Sequence, residues 1–245
     1  MNNLVNVFGI HAALSLLTIR PEDVITVYYD GKHKNQRLAD LISQAQSLGL
    51  KIESVETKYL EKLTGEGLHQ GICLSAKPKK VLSIDNFSDY FHDLKSNFLM
   101  LVLDQIQDPH NLGACLRTAL AFDVDAVLLT RDRSAGLSST VSKVSCGADQ
   151  QLRVFEAGNL SRAINQLKSE GVWFYGADQH AKDAISNVVI DRPTAIVMGS
   201  EGRGLRRLTA DSMDQLVSIS ISNSIESLNV SVATGIFLHS IRSHK

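Results

Sequence analysis

The sequence predicts an α/β protein with two domains, and three observations support this prediction. Strand-like segments rich in β-branched and aromatic residues alternate with helical segments along the chain. The alternation lapses once, over residues 77–96. The series that follows opens with a continuous apolar run, which is typical of a parallel strand buried on both faces. We therefore predict a small α/β domain at 1–76, a linker with one short helix at 77–96, and a larger domain with a mostly parallel sheet at 97–245.

The first domain is predicted from four segments. Val24–Tyr29 is rich in β-branched and aromatic residues and indicates a strand. Arg37–Leu48 has apolar residues at helical spacing and stops before Gly49, which is typical of a helix end. Lys51–Val55 and Gly71–Ala76 indicate two further strands. Together these segments form a unit of ordinary domain size.

The second domain is predicted from strands and helices that alternate over the rest of the chain. The predicted strands are Phe98–Leu103, Ala126–Thr130, Val172–Gly176, Thr194–Met198 and Leu216–Ser220. The predicted helices are Leu112–Phe122, Leu160–Glu170 and Leu228–Ser243, with a Ser-rich segment at 134–145. This order favours a parallel sheet with helices on both faces.

Composition excludes several classes of protein. With 44% hydrophobic and 21% charged residues, the chain is expected to fold around a packed core. A net charge of −1 argues against a broad DNA-binding surface. No apolar run reaches the roughly 20 residues that span a bilayer, and the N-terminus lacks the features of a signal peptide, so we expect a cytoplasmic protein with no membrane partner. Cys73, Cys115 and Cys146 are far apart, and we predict neither disulfides nor a metal site.

Three segments carry residue types that suggest chemistry. The first follows the strand ending at Leu103, where Asn111 is a candidate N-cap, Gly113 permits close approach to the backbone, and Arg117 lies about one helical turn further on. A surface arginine on an ordinary strand–loop–helix junction would give the same spacing. The pattern by itself therefore leaves both interpretations open.

The second segment, IVMGSEGRGL, runs from an apolar strand into a glycine-rich loop with one carboxylate, Glu201. It fits neither the G-x-G-x-x-G dinucleotide pattern nor a Walker loop, so a Rossmann oxidoreductase is not favoured. The third segment places Ser227 and Asn229 at the start of the last predicted helix, which carries several small residues. A plain glycine turn and a terminal core helix are the simpler interpretations of these two segments.

Taken in order, the three segments resemble the three motifs of the SpoU/TrmH family of RNA 2′-O-ribose methyltransferases, within the SPOUT superfamily. N-x-G-x-x-x-R is present as Asn111–Arg117, M-G-x-E-G-x-G as Met198–Gly204, and S-L-N-V-S-V-A-x-G as Ser227–Gly235. Further stretches, including Gly9–Ala12 and His69–Ile72, are similar to the subgroup that methylates a guanosine ribose in the P loop of large-subunit ribosomal RNA. The resemblance covers nearly the whole chain.

The resemblance implies more than composition could show. It implies a front domain similar to RNA-binding ribosomal proteins and a trefoil-knotted α/β-knot catalytic domain, although knots are essentially absent from ordinary topologies. It implies a homodimer with the last helix in its interface, and S-adenosylmethionine as cofactor, held by backbone groups of Gly199, Ile219 and Leu228. One departure concerns that loop: the family's Pro is replaced by Ser220 and its Gly by Ser222–Asn223, which could loosen the cofactor site.

The resemblance also implies catalytic roles. The expected catalytic residues are Arg117, Asn111, Glu201, Asn229 and Ser227. In the family, Arg117 would activate the hydroxyl. Because a guanidinium normally stays protonated, Arg117 could instead hold the substrate phosphate and the incipient alkoxide. Glu201 could orient Arg117 through a bidentate ion pair. The two asparagines would position the hydroxyl and the loops, with Ser227 in support.

RNA-binding candidates are basic or polar residues of both domains, since RNA is gripped by shape and by backbone contacts. Those near the catalytic motifs are Arg131, Arg133 and Lys143, and those in the front domain are Lys32, Lys34, Arg37, His69 and Gln70. A solvated surface charge is the simpler interpretation of each basic residue. Two further functions stay open: a transfer-RNA methyltransferase of the same family, and a non-catalytic RNA-binding ribosome-assembly factor.

Overall fold

The computed structural model describes residues 4–32, 35–65, 68–92, 94–222 and 224–243. The chain forms two compact units. The first unit comprises residues 1–80 together with 137–151, and the second comprises residues 81–136 and 152–245. The second unit carries all three sequence motifs.

The first unit is built on a four-stranded mixed sheet in the order β1-β4-β2-β3. Its elements up to residue 80 are β1 Val5–Phe8, α1 Ile10–Ile19, β2 Val24–Asp30, α2 Gln36–Ser47, β3 Ile52–Val55, α3 Thr57–Thr64 and β4 Ile72–Ala76. Strands β1 and β2 pair with β4 in antiparallel fashion, and β2 pairs with β3 in parallel. The predicted strands and helix are confirmed within a residue or so, whereas β1, α1 and α3 were not predicted.

The second unit is built on an eight-stranded sheet in the order β10-β12-β9-β11-β6-β7-β8-β5. The remaining elements of the chain are β5 Leu82–Ser83, α4 Phe87–Tyr90, β6 Leu99–Leu103, α5 Pro109–Ala121, β7 Ala126–Thr130, α6 Ser139–Val144, α7 Ala148–Gln151, β8 Val154–Ala157, α8 Leu160–Ser169, β9 Trp173–Ala177, β10 Asp183–Ala184, β11 Thr194–Met198, α9 Arg207–Ala210, β12 Gln215–Ser218 and α10 Val230–Ser243. Every strand pair of this sheet within the described residues is parallel. The prediction of a mostly parallel sheet is therefore confirmed.

The central strands of this sheet are buried as is typical of a parallel sheet. All residues of β6, β7 and β11 are buried, as expected for central strands covered on both faces. Because the strands run in the same direction, the loops that follow β6, β7, β11 and β12 leave the same edge of the sheet. Ligands of open parallel sheets bind at this edge. The trefoil knot implied by the family resemblance stays a prediction.

The segment 137–151, which contains α6 and α7, packs within the first unit although the strands before and after it belong to the second. At its centre Gly147 has φ +80°, and a Cβ at this position would lie 2.5 Å from Cβ of Ser15 on α1. Ser15 Oγ donates a hydrogen bond to the Gly147 carbonyl at 2.8 Å, and Arg20 Nη1 donates to Gln150 Oε1 at 2.8 Å. This segment was predicted to belong to the domain 97–245, and those domain boundaries stay a prediction.

No helix within the described residues is long and apolar enough to cross a membrane. Nor do these residues contain a cluster of three or more histidines, cysteines or carboxylates that could hold a metal ion.

Candidate active site at the carboxyl edge of the parallel sheet

The first motif is placed by helix α5, which begins earlier than predicted. Pro109 occupies its first position, and the Asp108 side chain accepts a hydrogen bond from the His110 backbone at 2.9 Å, so Asp108 is the N-cap. The prediction of Asn111 as N-cap is wrong. Asn111 lies in the first turn, 9% exposed, and its amide is left for contacts outside the helix.

The second motif forms a loop that folds back on itself after β11. A Cβ at Gly199 would lie 2.1 Å from the carbonyl carbon of Gly204, so only glycine fits there. The Gly204 amide donates to the Ser200 carbonyl at 2.9 Å, and Gly202 and Gly204 both have positive φ, in the left-handed region. This closed turn presents Glu201 on the surface.

A buried carboxylate fixes the far end of this loop. Asp104, 1% exposed, directly follows β6, and its Oδ2 accepts from Arg206 Nε at 3.1 Å and from Thr209 Oγ1 at 2.9 Å. Arg206 Nη2 lies 2.8 Å from the other oxygen, Oδ1. Asp104 was not predicted as a residue of the site, although an aspartate directly after a fully apolar strand is a signal that could have indicated it.

The third motif is placed by helix α10. Asn229 precedes the helix, and its Oδ1 accepts from the Ser231 backbone at 2.9 Å and from Ser231 Oγ at 2.6 Å. Arg242 at the other end donates from Nε to the Phe122 carbonyl at 2.8 Å, so α10 is held against the end of α5. Both ends of α10 are therefore fixed relative to the first motif.

Asn229 joins the three motifs. Its Nδ2 donates to Asn111 Oδ1 at 2.9 Å and to Glu201 Oε1 at 2.8 Å. We refer to Asn229, Asn111, Glu201 and Ser231 as the Asn229 cluster. Three residues predicted as catalytic from distant parts of the sequence are thus within direct hydrogen-bonding distance, at the edge of the sheet where ligands of parallel sheets bind.

Arg117 and Ser227 do not join this cluster. Arg117 is exposed, and it lies about 9 Å along α5 and roughly 120° around the helix from Asn111. Glu201 accepts its hydrogen bond from Asn229, and no ion pair between Glu201 and Arg117 forms within the described residues. The expectation that Glu201 orients Arg117 is therefore not met, and Ser227 is simply an exposed residue ahead of α10.

The three residues expected to hold a cofactor differ in exposure. Gly199 is buried, while Ile219 after β12 and Leu228 before α10 are half-buried. A Cβ at Gly202 or Gly204 would meet no atom within 4 Å, so the backbone at the tip of the glycine loop is open to a ligand. Ser220 is exposed, whereas Asn223, the other half of the predicted departure, lies outside the described residues.

Two of the RNA-binding candidates follow β7 in the second unit. Arg131 is exposed and pairs with Glu156 at 3.1 Å. Arg133 is exposed, with φ +55°. Both therefore extend the carboxyl edge of the sheet with positive charge.

The other candidates lie in the first unit. Lys143 was expected near the catalytic motifs, but its Nζ lies 5.2 Å from the ring centroid of Phe8. Gln70 Oε1 accepts from the Ile10 backbone at 3.0 Å, which brings the two N-terminal signatures together. His69 is only 4% exposed and its Nδ1 accepts from the Gly71 backbone at 3.1 Å, so its burial does not support RNA contact. Lys32 and Arg37 are exposed, and Lys34 lies outside the described residues.

Comparison with known proteins identifies the family of the chain. The profile of the SpoU rRNA Methylase family matches residues 98–239. The chain belongs to the SpoU rRNA methylase family. Residues 6–82 match a second family, described as RNA 2′-O ribose methyltransferase substrate binding. A relative from Nitrosomonas europaea, a 23S rRNA (guanosine-2′-O-)-methyltransferase, is 43% identical over 97% of this chain and 91% of its own length.

Solved structures share the SpoU fold. An RNA 2′-O ribose methyltransferase, 22% identical, superposes with a TM-score of 0.83 over 99% of this chain and 89% of its own. A SpoU methyltransferase from Streptomyces viridochromogenes, solved in complex with AdoMet, is 17% identical with a TM-score of 0.80 over 97% of this chain and 89% of its own. At these identities the likeness concerns the fold alone.

Proposed function

We propose that this chain transfers a methyl group from S-adenosylmethionine to the ribose 2′-hydroxyl of a guanosine in 23S ribosomal RNA. The observation that carries the proposal is the Asn229 cluster, because it joins the three SpoU motifs into one polar site. The full-length relative that is 43% identical is a 23S rRNA guanosine methyltransferase, which favours this RNA over transfer RNA.

The residues present fit this cofactor. The open backbone at Gly202 and Gly204 offers N–H and C=O groups to an adenosyl moiety, and Ile219 and Leu228 offer apolar surface beside polar backbone. The cofactor would supply an electrophilic methyl group. The protein's own residues must then place the hydroxyl in line with that methyl group and stabilise the charge that develops on its oxygen.

The Asn229 cluster suits the placing of a hydroxyl. Glu201 is exposed and uses only Oε1 toward Asn229, so Oε2 can accept the hydroxyl proton or a hydrogen bond from it. Asn111 uses its Oδ1, so its Nδ2 can donate to a ribose or phosphate oxygen. We assign both residues to positioning of the substrate.

We assign Arg117 to stabilisation of the negative charge on the substrate. A guanidinium stays protonated at physiological pH, so it would hold a substrate phosphate or the incipient alkoxide rather than remove a proton. Its exposure leaves it accessible to RNA or to a residue of a second copy of the chain.

Finer parts of the proposal rest on the family resemblance. These are the P-loop guanosine as target, a homodimer with α10 in its interface, a supporting role for Ser227, a cofactor contact of Gly199, and a cytoplasmic location. Arg131 and Arg133, at the same sheet edge as the Asn229 cluster, are the RNA contacts that the structure favours over His69.

The test is methyl transfer by the purified protein to 23S ribosomal RNA isolated from cells that lack this gene, with the methylated nucleotide mapped. We expect one guanosine to gain a 2′-O-methyl group. Arg117→Ala should lower the rate by at least about 100-fold, because charge stabilisation of this kind typically contributes that much. The matched control is Arg162→Ala, which replaces an exposed arginine on a different helix, α8, and should keep the wild-type rate.

Three outcomes would contradict the proposal in different ways. Methylation of transfer RNA alone would show that the substrate is transfer RNA and that the assignment to 23S ribosomal RNA is wrong. RNA binding without methyl transfer by the wild type would identify a non-catalytic assembly factor. Equal loss in Arg117→Ala and Arg162→Ala would show that positive charge on the surface matters and that Arg117 has no special role.

A further inference from the structure

Ser231 is a residue of the third motif that has no role in the function proposed above. It is the second residue of α10, half-buried, and it is the partner of Asn229 on the side away from Asn111 and Glu201. Its two donors meet the same atom: the backbone N–H at 2.9 Å and Oγ at 2.6 Å from Asn229 Oδ1. Such a contact is more than an N-cap, because a second donor is added to the usual backbone N–H.

The direction of these hydrogen bonds is fixed by chemistry. A backbone N–H can only donate, so the Asn229 atom that faces Ser231 must be the carbonyl oxygen. The Asn229 amide nitrogen must then face Asn111 and Glu201, to which it donates both of its protons. An ionised carboxylate can only accept, so Glu201 is compatible with this direction.

The orientation of the Asn229 amide also determines the orientation of the Asn111 amide. Because Asn229 donates, Asn111 must offer its carbonyl oxygen to Asn229. Its amide nitrogen then makes no hydrogen bond with any described residue and remains a donor for a ligand. Reversing the Asn229 amide would turn Asn111 as well, and would present an acceptor where a substrate oxygen must bind.

We propose that the Ser231 hydroxyl is a positioning group of the methyl-transfer site: beside the backbone N–H it gives Asn229 Oδ1 a second donor, and so reinforces the direction of the Asn229 amide that makes Asn111 a donor toward the substrate. The role acts through Asn229 and requires no contact between Ser231 and the substrate. This inference rests on the proposed function, because its readout is methyl transfer.

The first test compares Ser231→Ala, Ser231→Thr and wild type under single-turnover conditions with saturating S-adenosylmethionine. Loss of one of the two hydrogen bonds to Oδ1 should lower the rate of methyl transfer by about tenfold, with the KM for RNA changed by less than about twofold. Threonine keeps the hydroxyl and should restore the rate to within about twofold. Ser243→Ala, an exposed serine at the other end of α10, is the matched control.

The second test reverses the direction of the hydrogen bonds from residue 229 to residues 111 and 201, while keeping their number. Asn229→Asp places a carboxylate against Glu201 and should abolish activity. In the double variant Asn229→Asp/Glu201→Gln, the introduced glutamine and Asn111 can both donate to the introduced aspartate, so its thermal unfolding should return to that of wild type. Asn111 would now present its oxygen to the substrate, and methyl transfer should stay at least about 100-fold below wild type.

The outcomes separate this inference from the proposed function. If wild type transfers no methyl group to 23S ribosomal RNA, the proposed function fails first. If wild type is active and Ser231→Ala matches it, or Ser231→Thr is as slow as Ser231→Ala, the role of the hydroxyl is overturned. A double variant as active as wild type would show that the direction of the amide is unimportant.

Discussion

The two units each contain a polar cluster, and the two clusters differ in burial. In the first unit, Asp149 is 2% exposed, and its Oδ1 accepts from Ser145 Oγ at 3.0 Å while its Oδ2 accepts from Gln150. Lys79 donates to the Asp149 carbonyl. We refer to Asp149, Gln150, Ser142, Ser145 and Lys79 as the Asp149 cluster. In the Asn229 cluster of the second unit, by contrast, Asn229 and Glu201 are exposed and Ser231 is half-buried, while Asn111 is buried.

The difference shows what each cluster contributes. Buried polar groups lose their hydration, so they stabilise a fold only when every partner is in place. Exposed groups can exchange their partners for water at little cost, so their hydrogen bonds add little to stability. We therefore infer that the Asp149 cluster holds segment 137–151 in the first unit, while the arrangement of the Asn229 cluster serves its ligand.

The largest effect on stability should come from Asp149→Ala. This change removes the carboxylate that accepts from Ser145 Oγ and from Gln150 in a buried site, and it removes the negative charge beside Lys79. The free energy of unfolding should fall by about 2–4 kcal/mol, measured by chemical denaturation. Glu22→Ala, an exposed carboxylate of the same unit, should change it by less than about 0.5 kcal/mol. Equal effects of the two changes would remove the distinction between the clusters.

An intermediate effect should come from the charge of Lys79. Burial is the main cause that lowers the pKa of Lys79 from 10.5 to about 8, and Asp149 only partly opposes it. Between pH 8 and 10.5 the unfolded chain therefore holds the proton that the folded chain has lost, so the contribution of Lys79 to stability rises with pH across this window.

The measurement is the difference in unfolding free energy between wild type and Lys79→Met at several pH values. This difference cancels the titration of Cys73, whose pKa burial raises to about 12, and of Cys115, whose pKa burial raises to about 11. We expect the unfolding free energy of wild type to rise by about 1–3 kcal/mol relative to that of Lys79→Met from pH 8 to 10.5. A constant difference would mean that Lys79 is hydrated in the folded protein.

The smallest effect on stability should come from Glu201→Gln in the Asn229 cluster. Glutamine keeps an oxygen for Asn229 Nδ2, and the side chain is exposed, so the free energy of unfolding should change by less than about 0.5 kcal/mol. The rate of methyl transfer should nevertheless fall roughly tenfold, because a charge-assisted hydrogen bond becomes a neutral one. A large loss of stability with normal activity would reverse the comparison.

The sequence predicted most of the second unit because its strands are buried on both faces. Ala126–Thr130 and Thr194–Met198 were predicted with their observed bounds, since a continuous apolar run has a clear start and end. Helix α1 and strand β8 were missed. Ile10–Ile19 is apolar on most sides and shows little helical periodicity, and Val154–Ala157 is too short to show a pattern.

The motifs predicted which residues form the site, but not which of them touch. Asn111 was taken for an N-cap although Asp108 followed by Pro109 is itself a signal for a helix that begins earlier. The bond from Asn229 to Glu201 spans 28 residues, and the bond to Asn111 spans 118. Contacts over such separations depend on the tertiary fold, which local spacing does not determine.

Segment 137–151 has a consequence for protein engineering. The chain crosses between the two units after residues 80, 136 and 151. A chimaera made by joining the front of one relative to the back of another at a single junction near residue 80 would separate α1 from the helices that pack on it. Ser15 would then face a foreign glycine turn, and Arg20 a foreign glutamine. Front modules in this architecture can be exchanged only as two pieces of chain, and the shorter piece lies in the middle of the catalytic sequence.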